Sequence, residues 1–194
     1  MIWLIFGWKL YKMKKLHLGC WHRDFPDFIN VDLCDMPHIH YKSNINELPF
    51  FGNSEIDLIY WSHAFEYFDL VEAKDVLKEW KRVLKTNGVL RLAVPNFEAL
   101  VEIYKRTNNI NKVLGPLYGR MEINEGKNTL FHKTCYDFNS LKFLLEENGF
   151  KNVKLYDWRE TDHSEFDDHS QAYFPHMDKE NGLLVSLNIE CQKI

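Results

Sequence analysis

The sequence predicts a single α/β domain, doubly wound around a mostly parallel sheet. Three observations carry this. Strand-like and helix-like patterns alternate along the 194 residues, which implies parallel strands with helices on the sheet. Residues 56–62 (IDLIYWS) form a nearly continuous apolar run, as in a buried parallel strand. Val76, Leu77, Trp80, Val83 and Leu84 form an apolar stripe at helical spacing, followed by Asn87-Gly88 and a second apolar run.

Taken in order, residues 15–20 (KLHLGC) read as a first strand ending in glycine, and residues 28–32 (FINVD) as a second ending in an acid. Residues 39–41 suggest a short third strand, and 56–62 a fourth. Asp69 followed by Glu72 matches a helix start, an N-cap with an acid three residues on. Asn87-Gly88 then ends that helix, and residues 89–94 (VLRLAV) form a fifth strand closed by Pro95. Helices follow over 98–106 and 139–148, the latter capped by Gly149. Residues 153–158 and 183–192 read as the last two strands. Two stretches, 107–136 and 159–182, are less regular; connections this long are usually functional. The domain is therefore expected over 14–194, with those two stretches as substrate-side insertions and 1–13 as an N-terminal extension.

A hydrophobic content of 45% and an aromatic content of 15% supply a full core and exclude a disordered chain. The net charge of −4 gives no sign of a nucleic-acid or anionic-membrane surface. Residues 1–8 (MIWLIFGW) are too short to span a bilayer and read as a packing segment or an interfacial anchor. Their aromatic residues leave a homodimer open. The cysteines 20, 34, 135 and 191 form no CxxC pair, so free thiols in a reducing cytoplasm are expected rather than a disulfide framework or a zinc ribbon.

Ligands of doubly wound sheets sit outside the carboxyl ends of the strands. Here those ends carry Gly19, which permits close approach of backbone to a ligand, and Asp32, thirteen residues later. A carboxylate there can accept hydrogen bonds from both hydroxyls of a ribose; otherwise Gly19 makes a turn and Asp32 caps the next segment. Asn44 and Ile45 precede the fourth strand. An Asn amide can read an adenine edge and Ile can cover the ring, or the loop is merely solvated. Ser62 and His63 leave the fourth strand beside the same crevice. His63 is open as general base, pocket wall or satisfied core histidine. The His- and Asp-dense residues 162–178 match no metal spacing, and no metal is expected there. A nicotinamide oxidoreductase is disfavoured, because Gly19-Cys20-Trp21 breaks GxGxxG.

These segments, with NINELPF (44–50), IDLIYWSHAFEYF (56–68), VLKEWKRVLKTNGVLRLAVPNFEAL (76–100) and FNSLKFLLEENGF (138–150), resemble the class I S-adenosylmethionine-dependent methyltransferases. The likeness spans most of 14–158 and is closest to the type 11 branch, including small methyltransferases associated with polysaccharide biosynthesis. The resemblance implies a Rossmann-like sheet with an antiparallel last strand, and S-adenosylmethionine as cofactor. It implies cofactor contacts from Gly19, Cys20, Trp21, Asp32, Asn44, Ile45, Ser62 and His63. His63 and His132 would be the catalytic bases, and Tyr118, Arg120 and Tyr136 would contact a small-molecule or saccharide acceptor. Trp21 stands where the family has a second glycine, Asp27 where it has a later one, and Asn44 where it has Asp. The first crossover helix must be very short or absent. An indole at Trp21 can stack on the cofactor or occlude it; occlusion would make the chain a non-catalytic binding module on the same fold.

Overall fold

The computed structural model describes residues 12–123 and 128–194. The expected packing segment or anchor at 1–8 lies outside the described residues. The elements run β1 (Lys15–Leu18), β2 (Phe28–Asp32), β3 (Tyr41–Lys42), β4 (Ile56–Ser62), α1 (Glu72–Val83), β5 (Leu84–Pro95), α2 (Phe97–Thr107), α3 (Leu114–Tyr118), β6 (Met121–Ile123), β7 (Asn128–Leu130), α4 (Phe138–Glu147), β8 (Phe150–Leu155), β9 (Tyr173–Phe174), β10 (Leu183–Leu184) and β11 (Ser186–Lys193). Seven strands form one sheet in the order β3-β2-β1-β4-β5-β11-β8. β11 runs antiparallel to both its neighbours, and the pairs from β3 to β5 are parallel. The predicted fold class is thus the one observed.

Alternation along the strands gives the sheet two unlike faces. One carries Leu16, Leu18, Val31, Ile59, Trp61, Leu92 and Ile189, packed with Leu77 and Trp80 of α1 and Leu141 and Leu145 of α4 in one buried cluster. The register sets His17 beside Asn30 and Tyr60, and Tyr60 beside Arg91, on the other face. No helix separates β1 from β2; residues 19–27 hold only turns. That face is covered instead by Phe25 and by residues 161–171. His163 stacks on Phe25 and lies against Tyr60, Phe166 joins Phe25, Phe28, Leu58 and Tyr60, and Asp168 accepts the Tyr60 hydroxyl. At the rim, Asp162 pairs with Lys15 at 2.5 Å and Arg91 at 3.5 Å. The long polar stretch therefore does structural work that crossover helices do in a fully wound sheet.

Boundaries shift where local geometry overrides the pattern. The Asp69–Glu72 signal forms as a reciprocal box: Asp69 Oδ1 accepts the Val71 and Glu72 N–H groups, and Glu72 Oε2 accepts that of Asp69. However, α1 ends at Val83, and Asn87-Gly88 lies inside β5 rather than at the helix end. Pairing jumps from Ile56↔Leu84 to Leu58↔Val89, so the residues between bulge outward, with Asn87 at φ 61°. A Cβ on Gly88 would lie 2.8 Å from the Lys85 carbonyl oxygen. β3 falls at 41–42 instead of 39–41. β8 starts at Phe150, because Gly149 at φ 88° turns the chain directly out of α4. The run 183–192 divides at Val185, whose N–H reaches the Ala172 carbonyl. The 107–136 stretch holds α3 and the β6–β7 hairpin.

Candidate active site

The carboxyl ends of β1 and β2 meet at Asp32, which is 8% exposed. Its Oδ2 accepts the Trp21 N–H at 2.8 Å and its Oδ1 the Cys34 N–H at 2.8 Å. The Gly19-Cys20-Trp21 loop is thereby tied onto the acid. Each carboxylate oxygen has two lone pairs, so both remain able to accept a further donor. Gly19 sits at φ 60°, and a Cβ there would stand 2.9 Å from Trp61 Nε1. The indole packed against Gly19 is thus that of Trp61, whereas Trp21, at φ 46°, turns outward and is 46% exposed. Cys20 is buried, its thiol pushed up to about 12 by burial and then by Asp32, so it stays protonated and unreactive.

The 43–48 loop joins this junction through the Ser43 N–H, which donates to the Asp32 carbonyl at 3.0 Å. Asn44 is exposed, and half-buried Ile45 packs on the core while its carbonyl accepts Trp80 Nε1 at 2.8 Å. Three buried polar atoms in this region, Asn46 Oδ1, Trp61 Nε1 and Ser62 Oγ, have no partner among the described residues. Orphaned buried groups of this kind cost about 1–3 kcal/mol each and suit a site completed by a polar ligand. The residues present thus fit a nucleoside cofactor: a half-used carboxylate, a loop without Cβ at its apex, and unsatisfied polar atoms.

His63 and His132 come from segments 69 residues apart yet converge on one side chain. His132 Nε2 lies 3.6 Å and His63 Nδ1 3.9 Å from Glu66 Oε1. Glu66 is fully buried and neither of its carboxyl oxygens has a hydrogen-bond partner among the described residues. Burial pushes its pKa up to about 8. Burial also holds His63 well below its ordinary value, with His169 and His132 adding to the effect. His132 is lowered by burial as well, against an opposing hydrogen bond to the Pro116 carbonyl. Near pH 7 the group is therefore a protonated acid between two neutral imidazoles rather than an ion pair. Sequence reading missed Glu66; its signal is a lone acid in the otherwise apolar and aromatic AFEYF.

The three acceptor-side candidates are placed differently from one another. Tyr136 is buried and stacks on Phe65 at 5.7 Å, its hydroxyl raised by burial and then by Glu66. Tyr118 is 62% exposed, and its carbonyl accepts the His132 N–H. Arg120 pairs with Glu122 at 2.7 Å on the hairpin. A cavity of about 760 Å³ opens at the opposite, amino end of the strands, near Lys14, Lys15, Phe28 and Lys85. That is the wrong edge of an α/β sheet for a cofactor, and its lysines are engaged by Glu55, Asp162 and Asp57.

Residues 26–92 match the methyltransferase domain family. This span includes Asp32, Asn44, His63 and Glu66 and begins after the Gly19 loop. The same fold occurs in a SAM-dependent methyltransferase from Methanosarcina mazei, at 14% identity over 95% of this chain and 94% of that one, with a TM-score of 0.55. It recurs in a SAM-dependent methyltransferase from Archaeoglobus fulgidus, at 18% identity over 93% and 86%, TM-score 0.53. A third example is the 1,6-didemethyltoxoflavin-N1-methyltransferase of Burkholderia thailandensis, solved with 1,6-didemethyltoxoflavin and S-adenosylhomocysteine, at 11% identity over 92% and 70%, TM-score 0.53. No curated protein matches the chain. The fold is that of the class I methyltransferases. The domain match supports a methyltransferase, and the structural neighbours share its fold. Among the described residues no helix is long and apolar enough to cross a membrane.

Proposed function

We propose that the chain methylates a small-molecule or saccharide acceptor in the cytoplasm, with a place in polysaccharide biosynthesis as the narrower reading. The observation that carries it is the double backbone grip on Asp32, which orients a buried carboxylate at the junction of β1 and β2 and leaves lone pairs for a sugar diol. Gly19, Cys20 and Trp21 would line the cofactor through their backbone, Asn44 and Ile45 the adenine, and Ser62 and His63 the methionine end. When bound, S-adenosylmethionine supplies a methyl group already activated on a sulfonium. The protein's own task is then positional: to hold the acceptor in line, exclude water and take up one proton. His63 and His132 would take that proton, and Tyr118, Arg120 and Tyr136 would contact the acceptor.

Calorimetry with S-adenosylhomocysteine tests this. Saturable binding is expected, weakened at least tenfold in Asp32→Ala, since about 1.5–3 kcal/mol attends the loss of a hydrogen bond to a charged group. Absence of binding at millimolar concentration, or equal affinity in Asp32→Ala, would overturn the reading.

A further inference from the structure

Hydrogen-bond direction around Glu66 can be worked out from groups that have no choice. The Ser170 carbonyl can only accept, so the Asn188 atom 2.9 Å from it is the amide Nδ2. Asn188 Oδ1 therefore faces Ser186 Oγ, which donates to it at 2.8 Å. Having spent its proton, Ser186 Oγ accepts from His63 Nε2 at 2.9 Å. The neutral His63 ring thus carries its hydrogen on Nε2, and Nδ1 presents a lone pair. The Pro116 carbonyl likewise accepts from His132 Nδ1 at 2.9 Å, so His132 Nε2 is the bare nitrogen. Both lone pairs face the same oxygen, Glu66 Oε1.

An ionised Glu66 would set three acceptors together with no proton among them, out of water, which is costly. A protonated carboxyl can turn its single hydrogen toward one imidazole but not both. The nearer is His132 Nε2, at 3.6 Å against 3.9 Å for His63 Nδ1. Resting on the methyl-transfer reading above, we propose that Glu66 keeps its proton, turned toward His132, and so leaves His63 Nδ1 as the base for a hydroxyl group, making the methyl acceptor an alcohol. Glu66 is then a positioning residue and His63 the catalytic one. As the acceptor oxygen bonds to the methyl carbon, its proton passes to His63 Nδ1 and the carbon–sulfur bonding pair stays on the departing thioether. A carbon acceptor offers no such hydrogen bond, and a neutral amine attacks before it need lose a proton. Of the other titratable groups here, Tyr67 lies edge-on to His132 with centroids 4.8 Å apart, and Tyr136 lies in the field of Glu66. His169 stands 5.2 Å from the His63 ring, and Arg23 lies in its field. Among the described residues none of these groups supplies a hydrogen to His63 Nδ1. The elevated pKa of Glu66, about 8, agrees with a resident proton.

Nitrogen-15 and carboxyl carbon-13 NMR of the ligand-free protein at pH 6–7 tests the arrangement. Expected are a protonated Glu66 carboxyl, His63 hydrogenated on Nε2 and His132 on Nδ1. Glycerol, a simple polyol used as probe, should shift His63 Nδ1 more than His132 Nε2. Glu66→Gln, whose amide can still donate, should keep both tautomers, and Glu66→Leu should shift His132 Nε2. An ionised Glu66 at pH 6, a hydrogen on His63 Nδ1, or a glycerol response no larger at His63 than at His132 would overturn the proposal. Calorimetry with S-adenosylhomocysteine on the same samples separates the two readings: absent binding sinks methyl transfer, while the tautomers judge the proton arrangement alone.

Discussion

Replacing His17 should make the protein less sensitive to acid. His17 is 1% exposed and stacks on Phe25 at 4.2 Å. Its pKa falls from 6.5 to about 3, chiefly through burial, then through His163 and Arg23. The folded protein thus keeps the ring neutral, while the unfolded chain protonates it below pH 6.5. Stability from this group is complete above that value, is lost as pH falls through the window from 6.5 toward 3, and then levels off. At pH 5 the difference in proton binding amounts to about 2 kcal/mol. Urea unfolding of wild type and His17→Gln at pH 7 and pH 5 measures it. The wild type should lose about 2 kcal/mol more than the variant between the two pH values, a large share of a typical folding free energy. Titrating groups remote from His17, Glu66 among them, are common to both proteins and largely cancel in the comparison. Parallel pH dependence, within about 0.5 kcal/mol, would refute a neutral, buried His17.

Two further substitutions probe the covered face and the loop. Tyr60→Phe removes the hydroxyl that donates to Asp168, a side chain 4% exposed; a loss of about 1–3 kcal/mol is expected by urea denaturation, and an unchanged midpoint would show that water replaces it. Gly19→Ala adds a Cβ 2.9 Å from Trp61 Nε1 at a φ of 60°, where an L side chain costs about 1–2 kcal/mol. Its melting temperature should fall, and calorimetry should show weakened S-adenosylhomocysteine binding; a variant as stable as the wild type would mean the loop relaxes freely.

Much of the fold was legible because periodicity reports local burial. The stripe Val76, Leu77, Trp80 and Val83 is the buried side of α1, and each of those residues is buried. Asp137 and Ser140 cap α4 reciprocally, one position before the expected start. Asn87-Gly88 misled because a left-handed residue followed by glycine ends a helix and makes a strand bulge with the same chemistry; only the pairing of β5 with β4 distinguishes them. The late His- and Asp-rich stretch read as a substrate-side insertion because it is long and irregular in pattern. Its His163 and Asp168 are nevertheless buried, against a sheet face that has no helix between β1 and β2 to cover it.

The residues by themselves determined the α/β class, the strand ends carrying Gly19 and Asp32, and two histidines worth attention. Only the tertiary structure decided that those histidines share Glu66, that Trp61 rather than Trp21 packs beneath the loop, and which ring nitrogen of each imidazole is bare. The reason is that periodicity and spacing describe a residue against its chain neighbours. A proton's position depends instead on which carbonyls and hydroxyls, distant in sequence, the packed chain brings within hydrogen-bond reach.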